Sequence, residues 1–237
     1  YSSGRFNNSN GWLNGLQTFT IYGDSVFEDR NNNKYFDIGD ISKTPFYRSL
    51  NWYKSWSTQN KISLQINPST TLKLNTVINS RAGQDYNHSL QFLDKAQLTN
   101  YDRGQLYILS LSHSLSSKSF FQINFSSFNK KFESNLFQDP QDNRYATPDS
   151  LYWINTQGIV PEHIIDLYGE DVKFFPPYSL YKAGVDNRRF ERETNTYTIK
   201  ADYTSQINKY NQIKFGFDHT EVDLKLDSYS ILDSVQT

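Results

Sequence analysis

Residues 61–79 read KISLQINPSTTLKLNTVIN, and their spacing decides the fold class. Ile62, Leu64 and Ile66 alternate with Lys61, Ser63 and Gln65. Beyond Asn67-Pro68-Ser69-Thr70, Leu72, Leu74, Thr76 and Ile78 alternate with Lys73, Asn75 and Asn79. A period of two puts one set on each face of a pleated strand, and the Pro-Ser step between the runs predicts a tight hairpin turn. The pattern returns twice. Tyr107, Leu109, Leu111, His113 and Leu115 share a face opposite Ser110, Ser112 and Ser114. A Ser116-Ser117-Lys118 turn then leads to Phe121, Ile123 and Phe125, with Gln122 and Asn124 opposite. Tyr197, Ile199, Ala201, Tyr203 and Ile207 oppose Thr196, Thr198, Lys200, Asp202 and Gln206. A turn at Asn208-Lys209-Tyr210-Asn211 hands the apolar face on to Ile213, Phe215 and Phe217.

The turns inside these hairpins are short, whereas the connections between them, roughly 81–103 and 133–191, are long and polar. Long structureless loops are uncommon in a compact soluble domain, where both ends of a sheet usually look alike. Short turns at one end, long loops at the other, an apolar outward face and a polar inward face are the features of an outer-membrane barrel, and each strand exceeds the about 9–11 residues needed to cross. The expectation is an all-β fold, an antiparallel transmembrane β-barrel segment with long extracellular loops. A soluble β-sandwich with one solvated face per sheet stays open as the alternative.

Composition bounds the rest. The 237 residues include 24 basic and 25 acidic side chains, so charge advertises no nucleic-acid partner. Only 36% of residues are hydrophobic, with a mean hydropathy of −0.71, which is lean for an ordinary packed core. No stretch approaches the roughly 18 consecutive apolar residues of a membrane helix. The absence of cysteine removes disulfides and thiolate chemistry, and His88, His113, His163 and His219 are scattered without ligand spacing. No serine sits in a nucleophile elbow, so no enzyme activity is expected. The chain starts at Tyr1, contains no Met and lacks a signal-like start, so it is expected to be an internal part of a longer protein.

One polar stretch carries metal-ligand spacing. Residues 29–40, DRNNNKYFDIGD, put Asp29, Asn31, Asn33, Tyr35, Asp37 and Asp40 at positions 1, 3, 5, 7, 9 and 12 of an EF-type calcium loop, with the backbone carbonyl of Tyr35 as donor. Lys34 stands where the sharp turn favours Gly, and Asp40 where Glu reaches better. The other reading is an Asx-rich turn, because Asn and Asp bond their own backbone. In the long loop, Pro161, Glu162 and Gly169 mark one candidate helix. Tyr152, Trp153, Tyr178 and Tyr181 are candidate ligand-stacking aromatics there. Trp12, Trp52 and Trp56 fit either ligand stacking or an interfacial aromatic girdle, the girdle being the favoured reading for Trp52 and Trp56.

The stretch Leu111-Ser-His-Ser-Leu-Ser-Ser-Lys-Ser-Phe-Phe121 resembles a strand-turn-strand element of TonB-dependent outer-membrane receptors, particularly the Bacteroidetes-type receptors that begin with a carboxypeptidase-regulatory-like domain. Gln59–Pro68 and Gln206–Gly216 are similar to neighbouring elements, so the likeness spans most of residues 1–237. It implies a barrel of about 22 strands occluded by an N-terminal plug, of which this chain would be a third, with extracellular loops at 23–58 and 133–191. It also implies a location in the Gram-negative outer membrane, contact with outer-membrane lipid, and energy from the TonB complex through an N-terminal region not present here. The function implied is active uptake of a scarce small-molecule, glycan or peptide nutrient. The alternative function is a calcium-stabilised secreted or cell-surface β-sandwich that binds glycan.

Overall fold

The computed structural model describes residues 1–16, 20–21, 27–28, 41–42, 47–91, 93–145 and 184–231. In chain order the strands are β1 (Ser2–Ser9), β2 (Asn14–Leu16), β3 (Phe27–Glu28), β4 (Ile41–Ser42), β5 (Tyr47–Ser49), β6 (Trp52–Asn67), β7 (Thr70–Gln84), β8 (Thr99–Ser116), β9 (Ser119–Asn135), β10 (Arg188–Gln206) and β11 (Gln212–Ser230). One antiparallel sheet in the order β1-β6-β7-β8-β9-β10-β11 holds the long strands, while β2 pairs only β5 and β3 only β4. The large sheet does not close on itself, since its edge strands β1 and β11 do not pair with each other. Among the described residues the only helical pieces are 3₁₀ turns at His88–Leu90, Asp94–Ala96 and Asn143–Tyr145.

All three expected hairpins form where the turn residues predict. Asn67 pairs Thr70, with the Asn67 side chain accepting the Ser69 N–H at 2.9 Å, and Ser116 pairs Ser119. Asn208 Oδ1 closes the third turn by accepting the N–H groups of Tyr210 and Asn211, both at 2.9 Å. These Asx contacts satisfy backbone donors that the ladder leaves over at a strand end. The three turns lie at one end of the sheet, here the turn end. The connections 10–51, 85–98 and 136–187 leave and re-enter the sheet at the other, the loop end. The strands run further toward that end than the apolar alternation does, so the long connections shorten from the expected 81–103 and 133–191.

Register sorts the side chains into rows across the sheet. Leu64, Leu72, Leu111, Ile123, Ala201 and Phe217 form one continuous row, and Ile62, Leu74, Leu109, Phe125, Ile199 and His219 form the next. Both belong to what we term the first face. The second face carries Ser63, Lys73, Ser110, Asn124, Lys200 and Asp218 in a single row. Nothing among the described residues covers the apolar rows: Leu64 and Phe217 are each 57% exposed, and Phe125 46%. The buried apolar residues, Leu90, Leu93, Ala96, Tyr145 and Val185, all lie in loop-end connections rather than under the sheet. Among the described residues no second sheet of comparable size stacks on either face, as a sandwich would require.

The loop end is tied down by polar contacts. Arg189 donates to the carbonyls of Phe137 (2.6 Å) and Gln138 (2.9 Å) and to the Tyr145 hydroxyl (3.3 Å). Phe137 and Tyr145 meet edge to face at 4.9 Å. Arg188 forms a bidentate pair with the buried Asp186. Arg189→Ala leaves two carbonyls without their charged donor, so amide hydrogen exchange across residues 137–145 should speed up roughly tenfold, equivalent to about 1.4 kcal/mol. Exchange in the β8–β9 ladder should be unchanged; exchange at 137–145 equal to that of the parent protein would contradict this anchoring.

Candidate functional site

Where the second face reaches the loop end, a cleft of about 480 Å³ opens between β6, β7, β8 and the segment after β1. Tyr53, Gly83 and Asn100 occupy one register row at its base, and Ser55, Arg81, Asp102 and Phe132 the row below. Gly83 is needed there for close approach: a Cβ would meet the Trp52 carbonyl oxygen at 2.7 Å. The Arg81 guanidinium lies over the Tyr53 ring, 5.1 Å from its centroid, a cation–π contact in the cleft lining.

Residues 10–13 complete one wall. Their position follows from backbone contacts: Leu50 N donates to Leu13 O at 2.9 Å, Leu13 N to Asn51 Oδ1 at 3.3 Å, and Gly11 N to Ser9 Oγ at 3.1 Å. Gly11 takes a φ of 70°, which permits the tight bend. Trp12 is left 79% exposed at the cleft rim. Opposite it, Gln84 accepts the Trp52 indole N–H at 2.7 Å and donates to Gln97 O (2.9 Å) and Thr99 Oγ1 (3.2 Å). One amide thus joins β6, β7, the 85–98 connection and β8. Asp85 accepts from Asn100 at 3.4 Å, and Asp102 is paired with Lys130 at 3.4 Å. The lining offers large ring faces and several planar polar groups, a donor and acceptor set suited to holding a polar solute.

A second hollow of about 450 Å³ lies between Leu98, Ser134, Phe190 and Tyr229. Both its arginines, Arg188 and Arg189, are already engaged by Asp186 and by backbone carbonyls. That hollow is a structural joint between β9, β10 and β11.

Trp56 stands on the first face opposite Phe6, on the loop side of the apolar rows. Trp52 shares the first face with Trp56, four residues nearer the loop end, where its indole N–H is held by Gln84, and it also borders the cleft. The calcium-loop residues Asp29, Asn31, Asn33, Tyr35, Asp37 and Asp40 lie outside the described residues. So do Tyr152, Trp153, Tyr178, Tyr181 and the candidate helix near Pro161. Among the described residues no group of three or more His, Asp or Glu side chains is placed to hold a metal. Of the cleft, sequence reasoning singled out Trp12 and Trp52. Tyr53, Arg81, Asp85, Asn100 and Asp102 carried no local signal, because only the pairing of Tyr53 with Gly83 and of Gly83 with Asn100 brings them together. No protein-family model, curated protein or solved structure matches the chain.

Beyond the cleft, one carboxyl among the described residues of the 136–187 connection is strongly shifted. Asp142 is held down to about 2, first by the Arg144 side chain (2.6 and 2.9 Å) and then by the Arg144 N–H (3.0 Å). A depressed carboxyl contributes above its ordinary value of 3.8 and loses that contribution as pH falls toward about 2. The Asp142–Arg144 pair should therefore stay intact from neutral pH to below 3.8. In Arg144→Gln, which removes the side-chain bonds but keeps the backbone N–H, a site-resolved carboxyl titration should show Asp142 rising from about 2 toward 3.8; an unchanged midpoint would rule out the Arg144 side chain as the main cause.

Proposed function

We propose that this chain is part of the barrel wall of a TonB-dependent type of outer-membrane receptor, with the cleft around Tyr53 and Arg81 as part of its ligand-capturing end. The observation that carries the reading is the uncovered apolar face of an antiparallel sheet whose strands are 15 to 19 residues long from β7 to β11. Water penalises rows such as Leu64-Leu72-Leu111-Ile123, by roughly 1.5–3 kcal/mol for each side chain left fully exposed. Lipid removes that penalty, and hydrocarbon in turn demands a closed ladder, because each unpaired backbone group there costs several kcal/mol. In this reading the seven strands continue into a barrel of about 22 strands, the turn end faces the periplasm and the loop end faces the medium.

The role is uptake rather than catalysis, with a polar solute held at the loop end and passed along the second face. The TonB complex would act through a region outside this chain. The glycan-binding sandwich is the less favoured reading, because among the described residues nothing stacks on the apolar rows.

The lipid face has a direct test. Leu64→Arg and Leu111→Arg, made in the complete protein, place a guanidinium in the apolar rows at a cost of roughly 2–4 kcal/mol near the bilayer midplane. Both variants should show reduced folded barrel in outer-membrane fractions, judged by heat-modifiable gel migration, while Ser110→Arg on the second face should assemble normally. Full assembly of both leucine variants would overturn the membrane reading.

Calcium at residues 29–40 belongs to the same proposal on its ligand spacing alone, as an ion that fixes the shape of an external loop. Calorimetric titration of the complete protein with calcium should give heat that Asp29→Ala abolishes. Identical traces for parent and variant would remove the site.

A further inference from the structure

Charge is distributed unevenly between the strands. The chain as a whole is nearly neutral, at −1, yet β1, β6 and β7 contain no Asp or Glu at all. Their cations are Arg5, Lys54, Lys61, Lys73 and Arg81, and register puts all but Lys54 on the second face. Lys61 sits opposite Asn75 and Lys73 opposite Ser63, so the two ammonium-bearing residues are diagonal neighbours about 7–8 Å apart. Both are exposed, and neither makes a salt bridge among the described residues. On that face Asp102 lies opposite Arg81 but is engaged by Lys130, and Asp202 is three strands from β7. On the first face of β9 to β11, by contrast, Lys131 bridges Glu133 and Glu191 and Lys225 bridges Asp227, and on the second face Lys200 stands opposite Asp218.

We propose that the second face of β1, β6 and β7, from Arg81 at the cleft to Lys61 and Lys73 nearer the turn end, is a binding lane for an oligoanionic solute. A single exposed Lys–carboxylate pair contributes only about 0–1 kcal/mol, so one anionic group would not be retained. An oligoanion that sets one charge on Lys61 and another on Lys73 engages both at once, and linkage converts weak contacts into useful affinity; Arg5 and Arg81, about 13 and 20 Å further along the strands from Lys61, come within reach of a longer chain. The Debye length, about 8–10 Å at moderate salt, is comparable with the Lys61–Lys73 spacing, so their fields overlap. Ser63, Asn75 and Ser110 supply hydrogen-bond partners around the pair. At the cleft, Trp12 and Tyr53 supply ring faces, which suit the pyranose rings of an acidic oligosaccharide better than a bare polyphosphate.

This names the charge class of the ligand and rests on the receptor reading for the direction of travel, not for the affinity. The test uses the full-length protein purified in detergent, titrated calorimetrically with tetragalacturonate, tripolyphosphate and neutral maltotetraose. Tetragalacturonate should bind, weaken as salt rises, and bind roughly three- to tenfold less tightly to K61Q/K73Q. Tripolyphosphate binding with the same dependence would support the lane while assigning it to phosphate instead of uronate. Failure of both anions to bind, or equal affinity of parent and K61Q/K73Q, would overturn it, as would maltotetraose binding as tightly as the uronate. Normal heat-modifiable migration of K61Q/K73Q excludes misfolding as the reason for any loss. Anion binding by protein recovered only from the soluble fraction would sink the receptor reading and leave the lane standing.

Discussion

The interstrand backbone ladder is the constraint on which the rest of this structure depends. A soluble domain of this length draws its stability mainly from a buried core, but here the described strands bury almost no apolar side chain. What they share is pairing that runs nearly without interruption, with irregularities confined to the turn ends of the β6–β7 and β8–β9 hairpins. Once register is fixed, everything else is fixed with it, because a slip of one residue would exchange the two faces completely. Leu72 would move to the polar face and Lys73 into the apolar rows, and the continuous row from Leu64 to Phe217 would not exist.

This dependence explains what the sequence made legible. The turn-end halves of β6 to β11 could be read directly, because there a strict alternation of large apolar and small polar residues meets short turns rich in Asn, Ser and Pro. The loop-end halves could not. In Tyr101-Asp-Arg-Gly-Gln105 and in Arg188–Asn195 the alternating residues are charged, and their partners are distant in sequence: Arg103 finds Glu133 at 3.5 Å, and Lys131 finds Glu191 at 3.1 Å. Such complementarity is invisible along one strand and plain across three. β1 was missed for a related reason. Ser2–Ser9 has one large apolar residue, Phe6, and a glycine, and it becomes a strand only through its pairing with Ser55–Asn60 and neighbours. The cleft shares this origin, since its residues converge from five separated stretches and no short motif announces it.

The hydrogen-bonded strand ends also explain why the cleft lies where it does. Toward the turn end the second face is lined mainly by polar side chains and lysines. At the loop end the sheet meets residues 10–13 and 85–98, which carry their own backbone bonds and can stand above the sheet plane. Gln84 is the joint: the side chain that orients Trp52 also holds the 85–98 connection against β8. A concave site therefore forms at the only end of these hairpins where the chain is long enough to rise over the sheet.

The two faces exchange character along the strands, and this bears most directly on the environment of the sheet. Toward the turn end the first face is apolar and the second polar. Toward the loop end the first face carries Arg103, Lys131, Glu133, Glu191, Glu193 and Lys225, while the second gains Val77, Leu106, Phe128, Val222 and Leu224 beside the charged Arg81, Asp102 and Lys130. A β-sandwich has one interior along its whole length, so its strands keep one apolar face from end to end. A wall that leaves a lipid layer and continues into water has no reason to do so. Its outward face must turn charged at the boundary, and its inward face becomes free to hold apolar side chains against whatever covers the mouth. The strands are longer than the about 9–11 residues that hydrocarbon requires, and the exchange falls about half-way along them, between the row of Thr76, Tyr107 and Tyr197 and the row of Trp56, Arg103 and Lys131. A tyrosine-bearing row between an apolar and a charged band is the arrangement favoured at a membrane surface, where an aromatic ring has one side in acyl chains and a hydroxyl in water.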